Sequence, residues 1–158
     1  MINKTLIFFL IISNLIFLNL YSDDQINFDV SEIEILDSGK KIVGKNRGII
    51  TTENGIIIQA DEFEFDKEKN ILRAKGNITI EDKLNNYNFF AKAITYFKNE
   101  EKIEIQGKTE AMIGNNYNFK TENISILRDQ MIISSDIGVK ILDNKNQIRY
   151  EIGKFSYS

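Results

Sequence analysis

Asp61-Glu62-Phe63-Glu64-Phe65-Asp66 sets two aromatic rings on one side of an extended chain and acids on the other, because successive residues of a strand point to opposite faces. Such a segment is a strand with one dry face and one wet face. Outward from it, the same alternation recurs at Ile33 and Ile35 between Glu32 and Glu34, at Ile56, Ile58 and Ala60, and at Leu72 and Ala74. It continues at Ile78 and Ile80, Ile103 and Ile105, Ile124 and Ile126, Val139 and Ile141, and Ile148, Tyr150 and Ile152. Turn-rich pieces lie between: Asp66–Asn70, Asp82–Asn86, Lys98–Glu101, Gly114–Asn116 and Asp143–Asn146. Helical spacing is hard to find anywhere after residue 23.

The strands are not independent of one another. Phe63-x-Phe65 returns as Ile94-x-Tyr96, Ile124-x-Ile126 and Phe155-x-Tyr157, in steps of 31, 30 and 31 residues, and Gly76 returns at Gly107 after another 31. A weaker copy, Glu32-Ile33-Glu34-Ile35, precedes them. Units of this kind cannot bury their apolar faces singly and must stack. A propeller needs ~40 residues a blade and too few remain for one. The expected fold is therefore all-β: two facing sheets, or one long antiparallel sheet folded in half, built from repeats of about 30 residues. Its inward side would carry Ile58, Phe63, Phe65, Leu72, Ile78, Ile80, Phe89, Ile94, Tyr96, Ile103, Ile105, Ile113, Phe119, Ile124 and Ile126. Apolar residues at strand spacing most often simply fill a core.

Composition narrows the chemistry. The chain has neither His nor Cys, which removes the usual triads, zinc sites, thiol chemistry and disulfides. Carboxylates are the remaining catalytic option. Asp61, Glu62, Glu64 and Asp66 crowd one segment, but Glu62, Glu64 and Asp66 read as the solvated face rather than as acids flanking a bond. Asp66-Lys67-Glu68-Lys69-Asn70 lacks the spacing of a calcium loop. Asn77-Ile78-Thr79 and Asn123-Ile124-Ser125 match a glycosylation sequon too short to carry weight. Charges are interspersed with a formal net of -3 and no basic run, which argues against nucleic acid as a partner. No enzyme, cofactor or metal is expected.

Residues 1–22 read as a Sec signal: Lys4 is the only early charge, an apolar run extends from Leu6 to Leu20, and Leu20-Tyr21-Ser22 offers a small residue before Asp23. Cleavage after Ser22 is expected, leaving one domain over 23–158; a retained anchor is the alternative, although Ser13, Asn14 and Asn19 interrupt the run. At the other end, Lys154-Phe155-Ser156-Tyr157-Ser158 begins a further repeat without its partner strand. That strand is either an open edge for another protein or, the preferred expectation, a sign that the domain is truncated at its C-terminus.

The segment Ile58-Gln59-Ala60-Asp61-Glu62-Phe63-Glu64-Phe65-Asp66-Lys67-Glu68-Lys69-Asn70-Ile71-Leu72-Arg73-Ala74-Lys75-Gly76-Asn77-Ile78-Thr79-Ile80 resembles the OstA-like family of lipopolysaccharide transport proteins. The likeness runs over roughly residues 28–158, with looser copies at Ala91–Thr109 and Thr121–Ile137. It is nearest the LptA and LptD N-terminal periplasmic branches and less like LptC. The resemblance implies a β-jellyroll whose interior, at the fifteen inward positions above, holds the acyl chains of lipopolysaccharide. It also implies partnership with other Lpt-type β-jellyroll proteins through edge-strand pairing and with the outer-membrane assembly machinery. The place implied is the periplasm, associated with the outer membrane. The alternative is a structural or adhesive exported protein, β-solenoid-like, without a lipid cavity.

Overall fold

A computed structural model describes residues 26–114 and 116–158; the expected signal segment and its cleavage point lie outside the described residues. The alternating segments become β1 (Ile26–Leu36), β2 (Lys41–Thr52), β3 (Ile56–Ala60), β4 (Glu62–Asp66), β5 (Ile71–Asp82) and β6 (Tyr87–Phe97). They are followed by β7 (Lys102–Ile113), β8 (Tyr117–Leu127), β9 (Ile132–Ser135), β10 (Val139–Asp143), β11 (Ile148–Ile152) and β12 (Phe155–Tyr157). All pair antiparallel in one sheet of order β1-β2-β3-β5-β6-β7-β8-β10-β11, with β4 between β2 and β5, and β9 between β8 and β12.

The register shows that this sheet is folded. β3 pairs with Gly48–Thr51 of β2 and with Thr79–Asp82 of β5, whereas β4 pairs with Lys41–Gly44 of β2 and with Ile71–Lys75 of β5. β3 and β4 are thus two halves of one long strand, broken at Asp61. β10 and β9 divide the same way against β8, at Tyr117–Lys120 and Ser125–Leu127. Where strands are continuous the ladder shifts register instead: at Val30/Glu32, Lys75/Ile78, Phe90/Ala93 and Gln106/Thr109. These irregularities line up as a seam, and bulges of this kind bend a sheet sharply. A front layer (β3, β10, β11 and the adjoining halves of the long strands) and a back layer (β4, β9, β12 and the other halves) meet face to face.

The repeat of about 30 residues is one up-and-down crossing of both layers. Phe65, Leu72, Tyr96, Ile103, Ile126, Ile133 and Tyr157 lie side by side in a single row of the back layer. Gly76 and Gly107, which recur with the repeat, sit inside β5 and β7 with φ of 75° and 81° and carry the bend. Two expectations are corrected here. Ile33 and Ile35 follow the inward phase, pairing with Gly44 and Ile42, yet both are exposed, because β1 ends the sheet and nothing among the described residues covers it. Asp66 is not on the solvated face: it is buried, with its carboxylate accepting the Lys69 backbone N–H at 3.1 Å to close the β4–β5 turn.

At the seam β1 and β2 come unusually close. A Cβ added at Gly48 would fall on the Val30 side chain and lie 2.7 Å from the Asp29 carbonyl oxygen, neither of which can yield without moving backbone. We expect Gly48→Ala to destabilise the fold by about 1–3 kcal/mol, the usual cost of overpacking. A urea titration should show a lower midpoint with the slope unchanged.

Candidate functional site

The inward faces of the two layers form one apolar interior. All fifteen residues expected to line it are buried and belong to a single cluster, joined by Ile50, Ile56, Ala60, Ala74, Tyr87, Ala111, Ile133, Val139 and Ile141. The layers touch across it: Phe28 of the front layer and Phe65 of the back have ring centroids 6.2 Å apart, and Phe119 and Phe155 are at 4.9 Å. Ile58, Leu72 and Tyr96 are 0% exposed, so the middle of the interior is filled by the protein's own side chains. Towards both ends of the sheet that filling stops. At one end Ile33 and Ile35 are 49% and 68% exposed; at the other, Ile148, Tyr150, Ile152 and Tyr157 stand 38–45% exposed although their pairing partners Asp143, Ile141, Val139 and Ile133 are buried. The apolar face therefore runs the length of the folded sheet and surfaces beside the edges of β1, β11 and β12, which pair with no further strand among the described residues.

Opposite the seam lies the mouth, where two rows of turns face each other. Turns at 53–55 and 83–86 belong to the front row, and those at 98–101 and 128–131 to the back. A polar cluster closes the mouth at its middle. Arg128, with 7% of its side chain exposed, donates from Nε to Asp82 Oδ2 at 3.0 Å, from Nη1 to Glu101 Oε2 at 2.7 Å, and from Nη2 to the Asn54 carbonyl at 3.0 Å. Asn54 Nδ2 donates to Glu101 Oε1 at 2.7 Å and to the Tyr96 hydroxyl at 3.3 Å, and that hydroxyl donates to Glu101 Oε1 at 2.8 Å. Burial, helped by the Glu101 carboxylate, holds the Tyr96 phenol well above its ordinary range, so it stays protonated as a donor. Burial works against ionisation of Asp82, but hydrogen bonds from Asn85 and Arg128 outweigh it and leave its pKa below the usual carboxylate value. Burial likewise opposes the charge on Arg128, and Asp82 and Glu101 overcome it.

Sequence reasoning placed Asp82 and Glu101 in turns and passed over Arg128 and Asn54. One signal was legible: Asp82 continues the inward phase of Ile78 and Ile80, and an acid there needs a buried partner. The partner lies 46 residues on and only the fold brings it there. Among the described residues no group of three or more acids is arranged to hold a metal ion. The crowded acids separate: Asp61 accepts from Arg47 at 3.1 Å and Asn77 at 2.7 Å beside the seam, and Glu64 pairs with Arg73 across strands at 3.4 Å. Open concavities exist on the outside. One of about 630 Å³ on the front layer is lined by the outward Phe90, Met112 and Leu142 and by Lys120, Lys140 and Arg149.

No protein-family model matches the sequence, and no curated protein does. A solved structure matches by shape. LptH, described as the LptA homologous periplasmic component of the conserved lipopolysaccharide transport device from Pseudomonas aeruginosa, aligns over 82% of this chain and 94% of its own, with a TM-score of 0.64 and 12% identity. The two chains share one fold. The chain is thus a β-jellyroll of the Lpt type in architecture, and at that identity the likeness speaks for the fold alone.

Removing Arg128 would leave Asp82 buried with its Asn85 hydrogen bonds but without its counter-charge, and breaking a buried pair typically costs about 3–5 kcal/mol. We expect Arg128→Ala to lower the unfolding free energy by that order in denaturant titrations. Acid should act in the same direction. Asp82, with Asp66 and Asp143, whose pKa values are lowered chiefly by backbone N–H donors, binds its proton less readily folded than unfolded. Their stabilisation is complete above about pH 4, the unfolded value, and disappears as pH drops through the lower folded values. Midpoints measured from pH 6 to pH 2 should fall, and Asp82→Asn should flatten that fall.

Proposed function

We propose that this chain is a non-enzymatic component of lipopolysaccharide transport, carrying the lipid's acyl chains along its interior across the periplasm towards the outer membrane. The observation that carries the reading is the continuous inward apolar face that emerges at both ends of a sheet with the Lpt fold. Each CH₂ withdrawn from water is worth about 0.8 kcal/mol, so a chain of a dozen carbons resists an aqueous gap by roughly 10 kcal/mol. A greasy path relieves that cost, and non-directional contacts let the chain slide. The fifteen inward residues from Ile58 to Ile126 would form the path. Exposed Ile33 and Ile35 on β1 and Ile148, Tyr150 and Ile152 on β11 flank unpaired strand edges, which suit strand addition by further jellyroll proteins of the same transport system. Partnership with the outer-membrane assembly machinery, export by the leader and the choice between LptA-like and LptD-like branches belong to the same proposal.

A second reading has its own support. The closed middle of the interior, with Ile58, Leu72 and Tyr96 fully buried, is what a structural or adhesive exported β protein requires. The two separate in cells. With a photoreactive residue at Phe65 or Ile94, we expect ultraviolet light to attach lipopolysaccharide, and none to attach from Glu64 on the outer face of β4. Adducts from Glu64 alone, or from none of the three, would leave only the structural reading.

A further inference from the structure

We propose that the Arg128 cluster is a latch on the mouth, and that acyl chains reach the interior when it releases and the two layers hinge apart about the seam. The inference rests on the carrier reading above and deepens it by naming what controls the path. An interior whose central side chains are 0–2% exposed has no room for a chain unless its walls separate. Separation at the seam side is blocked, because the backbone of every long strand passes through it. The seam is nevertheless where the walls can rotate: the ladder between neighbours is interrupted there in β1, β5, β6 and β7, so few backbone pairs resist a change of angle. Opening must therefore occur at the mouth.

Hydrogen bonds between side chains or from side chain to backbone cross the middle of the mouth. Arg128 reaches Asp82 and the Asn54 carbonyl, and Asn54 reaches Glu101 and Tyr96. The other contacts named between the layers, Phe28 with Phe65 and Phe119 with Phe155, are aromatic and nearer the ends. They can be exchanged for an acyl chain with little change in surroundings. The polar ties cannot: a chain passing between Asn54 and Arg128 offers no donor or acceptor, so the ties must break before it passes. The latch is local and reversible, and its ties run from side chains at turns and strand ends rather than between backbone rungs of the ladder, so its release leaves the strand pairing intact.

The chain has no cysteine, which makes a strap specific. Glu53 of the front row and Lys98 of the back row line the same small cleft of about 200 Å³ at the mouth. Glu53→Cys and Lys98→Cys together, bridged by a short cleavable bis-thiosulfonate, would tie the rows covalently while keeping Asn54, Asp82, Tyr96, Glu101 and Arg128 in the sequence. Uptake of cis-parinaric acid and of lipopolysaccharide is followed by fluorescence in the full folded domain. We expect the strap to slow uptake of both at least tenfold relative to the unbridged pair, and reduction of the strap to restore it. Asp82→Asn with Arg128→Gln, which removes the two ties made by Arg128 without leaving Asp82 as a buried charge, should speed uptake roughly tenfold, the equivalent of about one net hydrogen bond lost. Strapped protein that loads at the unstrapped rate overturns the latch, as does a folded Asp82→Asn, Arg128→Gln variant that loads no faster. If that variant does not fold, the strap decides. Wild-type protein that takes up neither probe removes the carrier reading and the latch with it, whereas lipopolysaccharide uptake indifferent to the strap removes the latch alone.

Discussion

The structure depends on keeping one face of a single sheet dry while bending that sheet across every strand at the same place. Each long strand must reverse its facing direction partway along, yet the inward phase of two must survive the bend. Bulges satisfy both demands: an extra residue at Gly76-Asn77 or Gly107-Lys108 turns the chain and restores the phase on the other side. The side chains at Ile78 and Ala74, or at Thr109 and Ile105, then point into the same interior. Were the bulges out of line the sheet would twist rather than fold, and neither layer would have a partner for its apolar side.

From that bend follow the two regions that matter for function. Among the described residues the ends of the sheet are uncovered, because a sheet folded across its strands leaves its outermost strands without a facing layer, so apolar residues of β1, β11 and β12 are exposed. The mouth is closed because turns from both layers converge there, and turns supply the polar groups that strands keep outside. A buried guanidinium between two carboxylates is poor value as a stabilising device compared with packed apolar side chains. What it contributes is a contact of defined geometry, either made or broken, at the one line along which the layers can separate.

The fold recurs in LptH at 12% identity. Alternation, turn placement and bulges in line are properties of pattern rather than of particular residues, and many sequences satisfy them. The outer surface is freer still. Cross-strand pairs such as Lys120 with Glu110 at 2.7 Å and Lys45 with Glu34 at 2.8 Å are largely exposed and exchangeable.

Period-two alternation and the step of about 31 residues determined by themselves that the chain is all-β, that its units stack, and which apolar side chains of the middle strands face inward, because burial of an alternate face is a local property of each strand. The turns at Asp66–Asn70, Asp82–Asn86 and Lys98–Glu101 were legible for the same reason. Position along the stack was not: Ile33 and Ile35 carry the same pattern as Phe63 and Phe65, and only their place on the edge strand β1 leaves them exposed. Nor was the Arg128 cluster, whose members come from residues 54, 82, 96, 101 and 128 and meet only once the sheet has folded over. Contacts across the mouth join residues that no local periodicity relates, so tertiary structure alone decided them.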